Sequence, residues 1–182
     1  MTADAVAWAE SLARSYLRDL PRRLRHVEGV ARHAERVAAT VDDPELLVVA
    51  AWLHDIGYSA ELATTGFHPV DGAEFLRAQG ASIRLCALVA HHSCACVEAR
   101  RRGVPIAWED ERTSLRDALW WADMTTTPSG EPTDVRSRIA EVLHRYGPGH
   151  VVTDSVSESA PELIAAADRT EEAAQRAGVD VR

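Results

Sequence analysis

Residues 43–57, which read DPELLVVAAWLHDIG, carry the strongest structural signal in the chain. Asp43 and Pro44 are typical of a helix start. Aspartate caps the free amides of the first turn, and proline is tolerated there because the N–H that it lacks would have no partner within the helix. Leucine, valine, alanine and tryptophan fill most of the positions that follow, which predicts a buried helix. Gly57 is typical of a helix end. The ionisable pair His54 and Asp55 therefore ends a helix that is otherwise apolar.

Helical spacing of apolar residues continues on both sides of this segment. Apolar side chains recur three or four positions apart almost throughout, and proline or glycine interrupts each series. About eight helices are predicted, at 6–20, 27–40, 44–56, 69–79, 82–101, 113–124, 133–146 and 161–177. Only Val151–Thr153 weakly resembles a strand. We therefore predict a single compact all-α domain over 1–182, with a motif region at 20–130 and C-terminal helices in 131–182 that pack on it.

Composition excludes several classes of protein. The chain has 182 residues, which suits one domain, and its net charge of −8 argues against general nucleic-acid binding. All 20 Lys+Arg residues are arginine, and the absence of lysine excludes a Walker A loop and a Schiff-base lysine. No signal-peptide pattern or membrane-spanning apolar run is present. Three cysteines, an odd number, fit a reducing compartment, so we predict a cytoplasmic location.

Histidines and acidic residues within apolar helical segments predict a metal site. Six of the eight histidines lie between positions 26 and 92, although each buried imidazole needs a hydrogen-bond partner. His26, the pair His54 and Asp55, and Asp123 each stand in apolar surroundings, where a charge is costly unless an opposite charge answers it. Imidazoles and carboxylates together suit divalent iron, manganese, cobalt, nickel or zinc.

Two further segments offer ligands for a second ion. His68 begins a helix in FHPVDGA, and His91 stands in LVAHH. Six potential ligands are enough for two ions if one carboxylate bridges them, and Asp55 is the natural bridge. His91 and His92 point about a third of a turn apart on a helix, so one can bind metal while the other meets substrate. We predict His91 as the ligand, with His92 as the alternative.

Five segments of the chain together resemble the HD-domain superfamily of metal-dependent phosphohydrolases. They are RHVEGVA at 25–31, AWLHDIG at 51–57, HPVDGA at 68–73, AHH at 90–92 and AD at 122–123. The resemblance covers roughly residues 20–130. It implies that the first metal is bound by His26, His54, Asp55 and Asp123. It also implies that His68 and His91 complete a second site, as in the two-metal branch that includes diadenosine tetraphosphate hydrolases. The Gly-Tyr-Pro signature of cyclic-di-nucleotide phosphodiesterases is missing after the histidine pair, which argues against that substrate.

The resemblance implies hydrolysis of a phosphate ester by attack of a metal-bound hydroxide. The expected partner is a nucleotide or another small phosphorylated metabolite. Asp55 would then be catalytic as well as a ligand, and His92 would protonate the leaving group. Arg22 and Arg102 are candidates for substrate binding because guanidinium groups hold phosphate through two hydrogen bonds. Thr126 is a third candidate because its hydroxyl lies close to Asp123 in sequence.

Two alternative functions stay open at this point. The same ligands would serve a mixed-valent di-iron oxygenase, and degenerate HD domains act as non-catalytic metal-binding or nucleotide-binding regulators. His33 lies two turns after His26, which is too far for both to hold one ion, so we expect His33 at the surface or facing a partner. Alanine-rich helix faces would also allow a homodimer.

Overall fold

The computed structural model describes residues 3–181, which form nine α-helices and three single turns of 3-10 helix. The α-helices are Ala3–Tyr16 (α1), Pro21–Val37 (α2), Pro44–Leu53 (α3), His68–Ala78 (α4), Ile83–His91 (α5), Ala95–Arg102 (α6), Ser114–Met124 (α7), Val135–Tyr146 (α8) and Val151–Arg176 (α9). The 3-10 turns are Ala38–Thr40, Ile56–Tyr58 and His92–Cys94. Extended pairing within 3–181 is confined to an isolated bridge between Thr126 and Pro132. The all-α prediction is confirmed.

The helix α3 occupies the centre of the fold. Each of residues 46–53 is buried, so this part of the helix has no face exposed to solvent. It packs against α1, α2, α5 and α7. The Asp43 carboxylate accepts a hydrogen bond from the Leu46 amide at 3.0 Å, which is the cap predicted from the sequence. Because α3 runs through the core, its C-terminal end delivers His54 and Asp55 to the interior of the protein.

The predicted helix 82–101 is divided into α5 and α6. The break lies at His92–Cys94, where Ser93 and Cys94 adopt φ values of +48° and +60°. Neither glycine nor proline stands at this break, so the sequence pattern does not reveal it. The contacts that accompany the break belong to the candidate metal centre described below.

Two prolines have positions that differ from the prediction. Pro21, expected to stop the first helix, is the first residue of α2. Pro161, expected to begin the last helix, lies inside α9, which starts at Val151 and includes the segment that weakly resembled a strand. The His150 imidazole accepts a hydrogen bond from the Val152 amide at 3.2 Å and so caps α9. The helices α8 and α9 pack on each other and on α7.

No helix within residues 3–181 combines the length and the apolarity that crossing a membrane requires.

His33, expected at the surface or facing a partner, is instead a buried histidine of the core, only 7% exposed. Its Nδ1 lies 3.0 Å from the Thr125 hydroxyl, and its ring stacks on Trp121 with centroids 5.5 Å apart. Burial lowers the pKa of His33 to about 4, and the nearby Arg36 and Arg32 act in the same direction. A neutral His33 is therefore part of the folded state.

We expect His33 to destabilise the protein in mild acid. Between pH 6.5 and pH 4 the unfolded chain binds a proton at His33 that the folded chain does not, so the free energy of unfolding falls as the pH falls. The loss contributed by His33 between pH 7.5 and pH 4.5 is about 2 kcal/mol. Urea unfolding of wild type and His33→Gln at both pH values measures this contribution. The titratable groups that the two proteins have in common cancel when their pH dependences are subtracted. Equal pH dependence in the two proteins would contradict this prediction.

Candidate metal centre

Three helices bring the first four predicted ligands to one place. His26 comes from α2, His54 and Asp55 follow α3, and Asp123 lies near the end of α7. The Asp123 Oδ1 atom lies 3.0 Å from His26 Nε2 and 3.9 Å from His54 Nε2. The Asp55 Oδ2 atom lies 3.3 Å from His54 Nε2 and 3.7 Å from His26 Nε2. All four residues are at most 7% exposed, which is unusual for charged groups without a counter-charge.

A second group forms around the other oxygen of Asp55. The Asp55 Oδ1 atom lies 3.3 Å from His68 Nε2 and 3.6 Å from His92 Nε2, and these two nitrogens are 3.3 Å apart. One ligand atom from each of His26, His54 and Asp55 lies within 4.8 Å of the others, and the same holds for Asp55, His68 and His92. Asp55 therefore belongs to both groups, through a different oxygen in each.

The structure corrects the choice between His91 and His92. The Nε2 atom of His91 lies 2.8 Å from the Trp108 carbonyl, whereas the Nε2 atom of His92 faces Asp55. The chain leaves α5 at His92, where ψ is 141°, so the two rings do not keep the spacing of a continuous helix. His92 replaces His91 as the candidate ligand. The same placement argues against His92 as the acid that protonates a leaving group.

The backbone fixes the tautomers of three of these histidines. In each, Nδ1 lies within hydrogen-bond distance of a backbone carbonyl, which only accepts, so Nδ1 carries the proton. The pairs are His26 with Thr127 (3.0 Å), His54 with Ala51 (2.8 Å) and His92 with Val89 (2.7 Å). In the neutral rings, the Nε2 lone pairs then point at carboxylates, and two electron-rich groups repel unless a proton or cation lies between them.

The donor set fits divalent transition-metal ions. The Nε2 atom of His54 is buried and has no hydrogen-bond partner, although it is surrounded by polar atoms. A cation would satisfy this lone pair together with the carboxylates of Asp55 and Asp123. Hydrogen bonds from Nδ1 to a carbonyl are the usual second contact of a metal-binding histidine. Imidazole and carboxylate ligands suit several first-row metals.

The carboxylates of the cluster stay charged and favour a positive charge beside them, which either a proton on His54 or a bound cation can supply. Burial opposes a charge on His54, but the Asp55 carboxylate outweighs it and raises the pKa of His54 to about 9. Burial also acts to raise the pKa of Asp55, yet Arg23 and His54 hold that pKa well below its ordinary value. Neighbouring imidazoles overcome burial and lower the pKa of Asp123 in the same way. Burial lowers the pKa of His92 to about 4, so His92 is neutral at pH 7.

Arg23 is a functional candidate that the sequence reasoning named only as part of the arginine run before His26, and Tyr58 is one that it did not single out. The Arg23 Nη1 atom donates to Asp55 Oδ2 at 2.6 Å, and the guanidinium lies 3.9 Å from the centroid of the Tyr58 ring. The other face of Tyr58 stacks on His68, with centroids 3.8 Å apart. Arg23 precedes His26 by three residues and shares its helix face, a spacing that could have revealed it.

The three predicted substrate-binding residues have different surroundings. Arg22 is exposed and lines a cavity of about 370 Å³ beside the centre, together with Arg23, Tyr58 and Arg145. Arg102 is exposed and donates to Glu98 at 2.6 Å, outside the lining of the cavity over the metal ligands. Thr126 is fully buried, and its hydroxyl donates to the Ala122 carbonyl at 2.7 Å. Thr126 is therefore a structural residue, and its predicted substrate contact is wrong.

A cavity of about 120 Å³ lies directly over the candidate metal ligands. Its floor includes Asp55, His68, His92 and Asp123. Side chains from α8 and α9 form its opposite wall, and these are Arg138, Val142, Arg145, Tyr146, Val152, Val156 and Leu163. The C-terminal helices therefore close the site, a role that the motif region alone does not indicate.

The fold and site together define a helical domain with a buried cluster of histidine and aspartate. A family model described as HD domain matches residues 23–146, about two thirds of the chain, and the chain belongs to this family. The match contains every residue of the two ligand groups. HD domains bind divalent metals and are typical of metal-dependent phosphohydrolases. No curated protein and no solved structure matches the chain significantly.

Proposed function

We propose that this protein is a metal-dependent hydrolase that cleaves a phosphate ester of a small metabolite, such as a nucleotide. The observation that carries the proposal is the position of Asp55, whose two oxygens face two separate imidazole groups inside an HD domain. Divalent ions, when bound, polarise a phosphoryl oxygen and lower the pKa of a water molecule.

The chain supplies the ligands in two groups. His26, His54, Asp55 and Asp123 would hold one ion, and Asp55, His68 and His92 would hold another. The Nδ1 hydrogen bonds to backbone carbonyls keep the rings of His26, His54 and His92 in the orientation that exposes Nε2. Burial of this cluster excludes bulk water, so electrostatic interactions with a bound substrate are strong.

The cations around the cavity support an anionic substrate. Arg23, Arg138 and Arg145 line the cavity over the ligands, and guanidinium groups match the oxygens of a phosphate. The Nε atom of Arg138 is buried without a hydrogen-bond partner. Arg23 is held between Asp55 and the Tyr58 ring, at the boundary with the neighbouring cavity that Arg22 lines.

The sizes of the two cavities support a small substrate. About 120 Å³ over the ligands accommodates a phosphoryl group, and about 370 Å³ beside it accommodates a group of metabolite size. Arg23, Tyr58 and Arg145 line both cavities, so one molecule can extend from the first into the second.

Phosphate release from a panel of nucleoside monophosphates and other phosphomonoesters tests this function. Protein stripped by a chelator is expected to be inactive and to regain turnover with manganese, cobalt, iron or zinc. His92→Gln is expected to lose one bound ion and to lower kcat/KM by more than about 100-fold, because removing a ligand costs more than removing an outer contact of the site. His91→Gln is the matched control, and it keeps turnover and metal content because His91 faces Trp108.

Two results would contradict the proposal. One is the absence of phosphate release by folded, metal-loaded protein with every ester tested. The other is equal loss of metal and turnover in His91→Gln and His92→Gln. Substrate-dependent uptake of O₂ by iron-loaded protein would favour the oxygenase alternative instead.

A further inference from the structure

The turn between α5 and α6 has an unfavourable backbone conformation. Ser93 and Cys94 are consecutive non-glycine residues in the left-handed region, with φ, ψ of 48°, 45° and 60°, 29°. Within the described residues, Arg112 is the one other non-glycine residue with positive φ. L-residues with a Cβ adopt this region at a cost, and such conformations persist where surrounding contacts impose them. An observed outlier of this kind is a reason to look for a function in the turn.

The turn contributes to both ligand groups at once. Its first residue, His92, places Nε2 3.6 Å from Asp55 Oδ1 in the second group. Its second residue, Ser93, donates a hydrogen bond from its hydroxyl to Asp123 Oδ2, in the first group. Ser93 also lines the cavity over the ligands. Two adjacent residues thus reach two different ligand groups.

The two carboxylate oxygens of Asp123 have different contacts. The Oδ1 atom lies 3.0 Å from His26 Nε2 and 3.9 Å from His54 Nε2, on the side where the first ion would bind. The Oδ2 atom receives the Ser93 hydroxyl. A carboxylate held at one oxygen cannot turn freely, so Oδ1 stays directed at the imidazoles.

We propose that Ser93 is a positioning residue, whose hydroxyl fixes Asp123 so that Oδ1 alone faces His26 and His54. The strained turn is the means by which the chain brings this hydroxyl to Asp123 while it also directs His92 to Asp55. The inference rests on the proposed metal centre. It assigns Ser93 a role in metal affinity that is separate from any role in folding.

Replacing Ser93 by glycine and by alanine separates these two roles. Both changes remove the hydroxyl, but glycine accepts a φ of 48° without cost and alanine does not. Because both variants lose the same hydrogen bond, we expect the difference in backbone strain to give Ser93→Ala a Tm a few degrees lower than that of Ser93→Gly. We expect both variants to bind Mn²⁺ about 10-fold to 100-fold more weakly in calorimetry, by equal factors.

Turnover provides a second readout. The Mn²⁺ concentration that gives half-maximal rate should rise by the factor found in calorimetry.

Three results would overturn the role of Ser93. They are wild-type Mn²⁺ affinity in Ser93→Gly, an affinity that follows the Tm values of the two variants, and a wild-type protein that binds no divalent ion. Calorimetry needs no turnover, so its outcome is distinct from that of the hydrolase proposal. If the protein binds Mn²⁺ tightly but hydrolyses no ester, the hydrolase proposal is refuted, and the calorimetry of the two variants still tests the role of Ser93.

Discussion

Asp55→Asn is expected to abolish binding of both ions and to lower kcat/KM by about 10³-fold or more. One Asp55 oxygen lies 3.3 Å from His54 Nε2 and the other 3.3 Å from His68 Nε2, so a single change removes a ligand from each group. Asparagine keeps the shape of the side chain but loses the charge and presents N–H donors to one side. Loss of metal assistance costs several kcal/mol of transition-state stabilisation, and each 1.36 kcal/mol is a factor of ten.

Elemental analysis and phosphate release measure this effect, with the Tm of the variant as a check on folding. Asp19→Asn is the matched control, because Asp19 lines the neighbouring cavity with a side chain that is 86% exposed. It removes the same charge near the centre and is expected to leave metal content unchanged. Wild-type metal content in Asp55→Asn would refute the shared ligand.

Gly57→Ala is expected to destabilise the protein by about 3 kcal/mol, at the upper end for overpacked sites. A Cβ at this position would lie 2.0 Å from the His68 carbonyl oxygen and 2.6 Å from the Gly72 amide nitrogen. Both are backbone atoms of α4, so no side chain can rotate away and the helix must move. Because His68 is the first residue of α4, this movement displaces a ligand of the second group.

Urea unfolding and metal content together measure the effect of Gly57→Ala. The control is Gly80→Ala, where φ is +79° and a Cβ meets nothing within 4 Å. The control is expected to cost about 1 kcal/mol through backbone strain alone and to keep both ions. A smaller loss of stability in Gly57→Ala than in Gly80→Ala would show that the close approach of the α4 backbone does not require glycine at position 57.

The loop before α4 shows how the surroundings of His68 are built from local contacts. The Asp71 carboxylate accepts hydrogen bonds from the Thr65 amide at 2.8 Å, the Thr65 hydroxyl at 2.7 Å and the Gly66 amide at 3.0 Å. These bonds tie residues 65–66 to α4, next to His68. They explain why a loop rich in small polar residues still leads into a defined ligand position.

Local patterns were sufficient to predict that the four residues of the first group lie inside the protein. The apolar composition of α3 requires burial on every side, so its last residues enter the core wherever the other helices lie. The Asp43 cap and the position of His54 and Asp55 follow from this one segment. His26 and Asp123 stand in apolar surroundings of the same kind, where an ionisable group needs a counter-charge.

The features that the sequence did not predict depend on contacts between segments that are distant in the chain. The direction of His92, the hydroxyl of Ser93 and the closure of the cavity by α8 and α9 each depend on residues far away in the chain. Ser93 and Asp123 are 30 positions apart, and their hydrogen bond accompanies a backbone conformation that short-range preferences disfavour. Helical periodicity therefore indicated one helix where the folded chain has two.

The amino-acid order alone established the all-α class, the buried central helix, and the inward placement of His26, His54, Asp55 and Asp123, because apolar periodicity and the cost of burying charge act locally. Tertiary packing decided that His92 rather than His91 faces Asp55, that Arg23 donates a hydrogen bond to Asp55, and that Thr126 is a buried structural residue. These features depend on which surfaces meet, and side-chain direction at a helix break is set by the neighbours that it contacts.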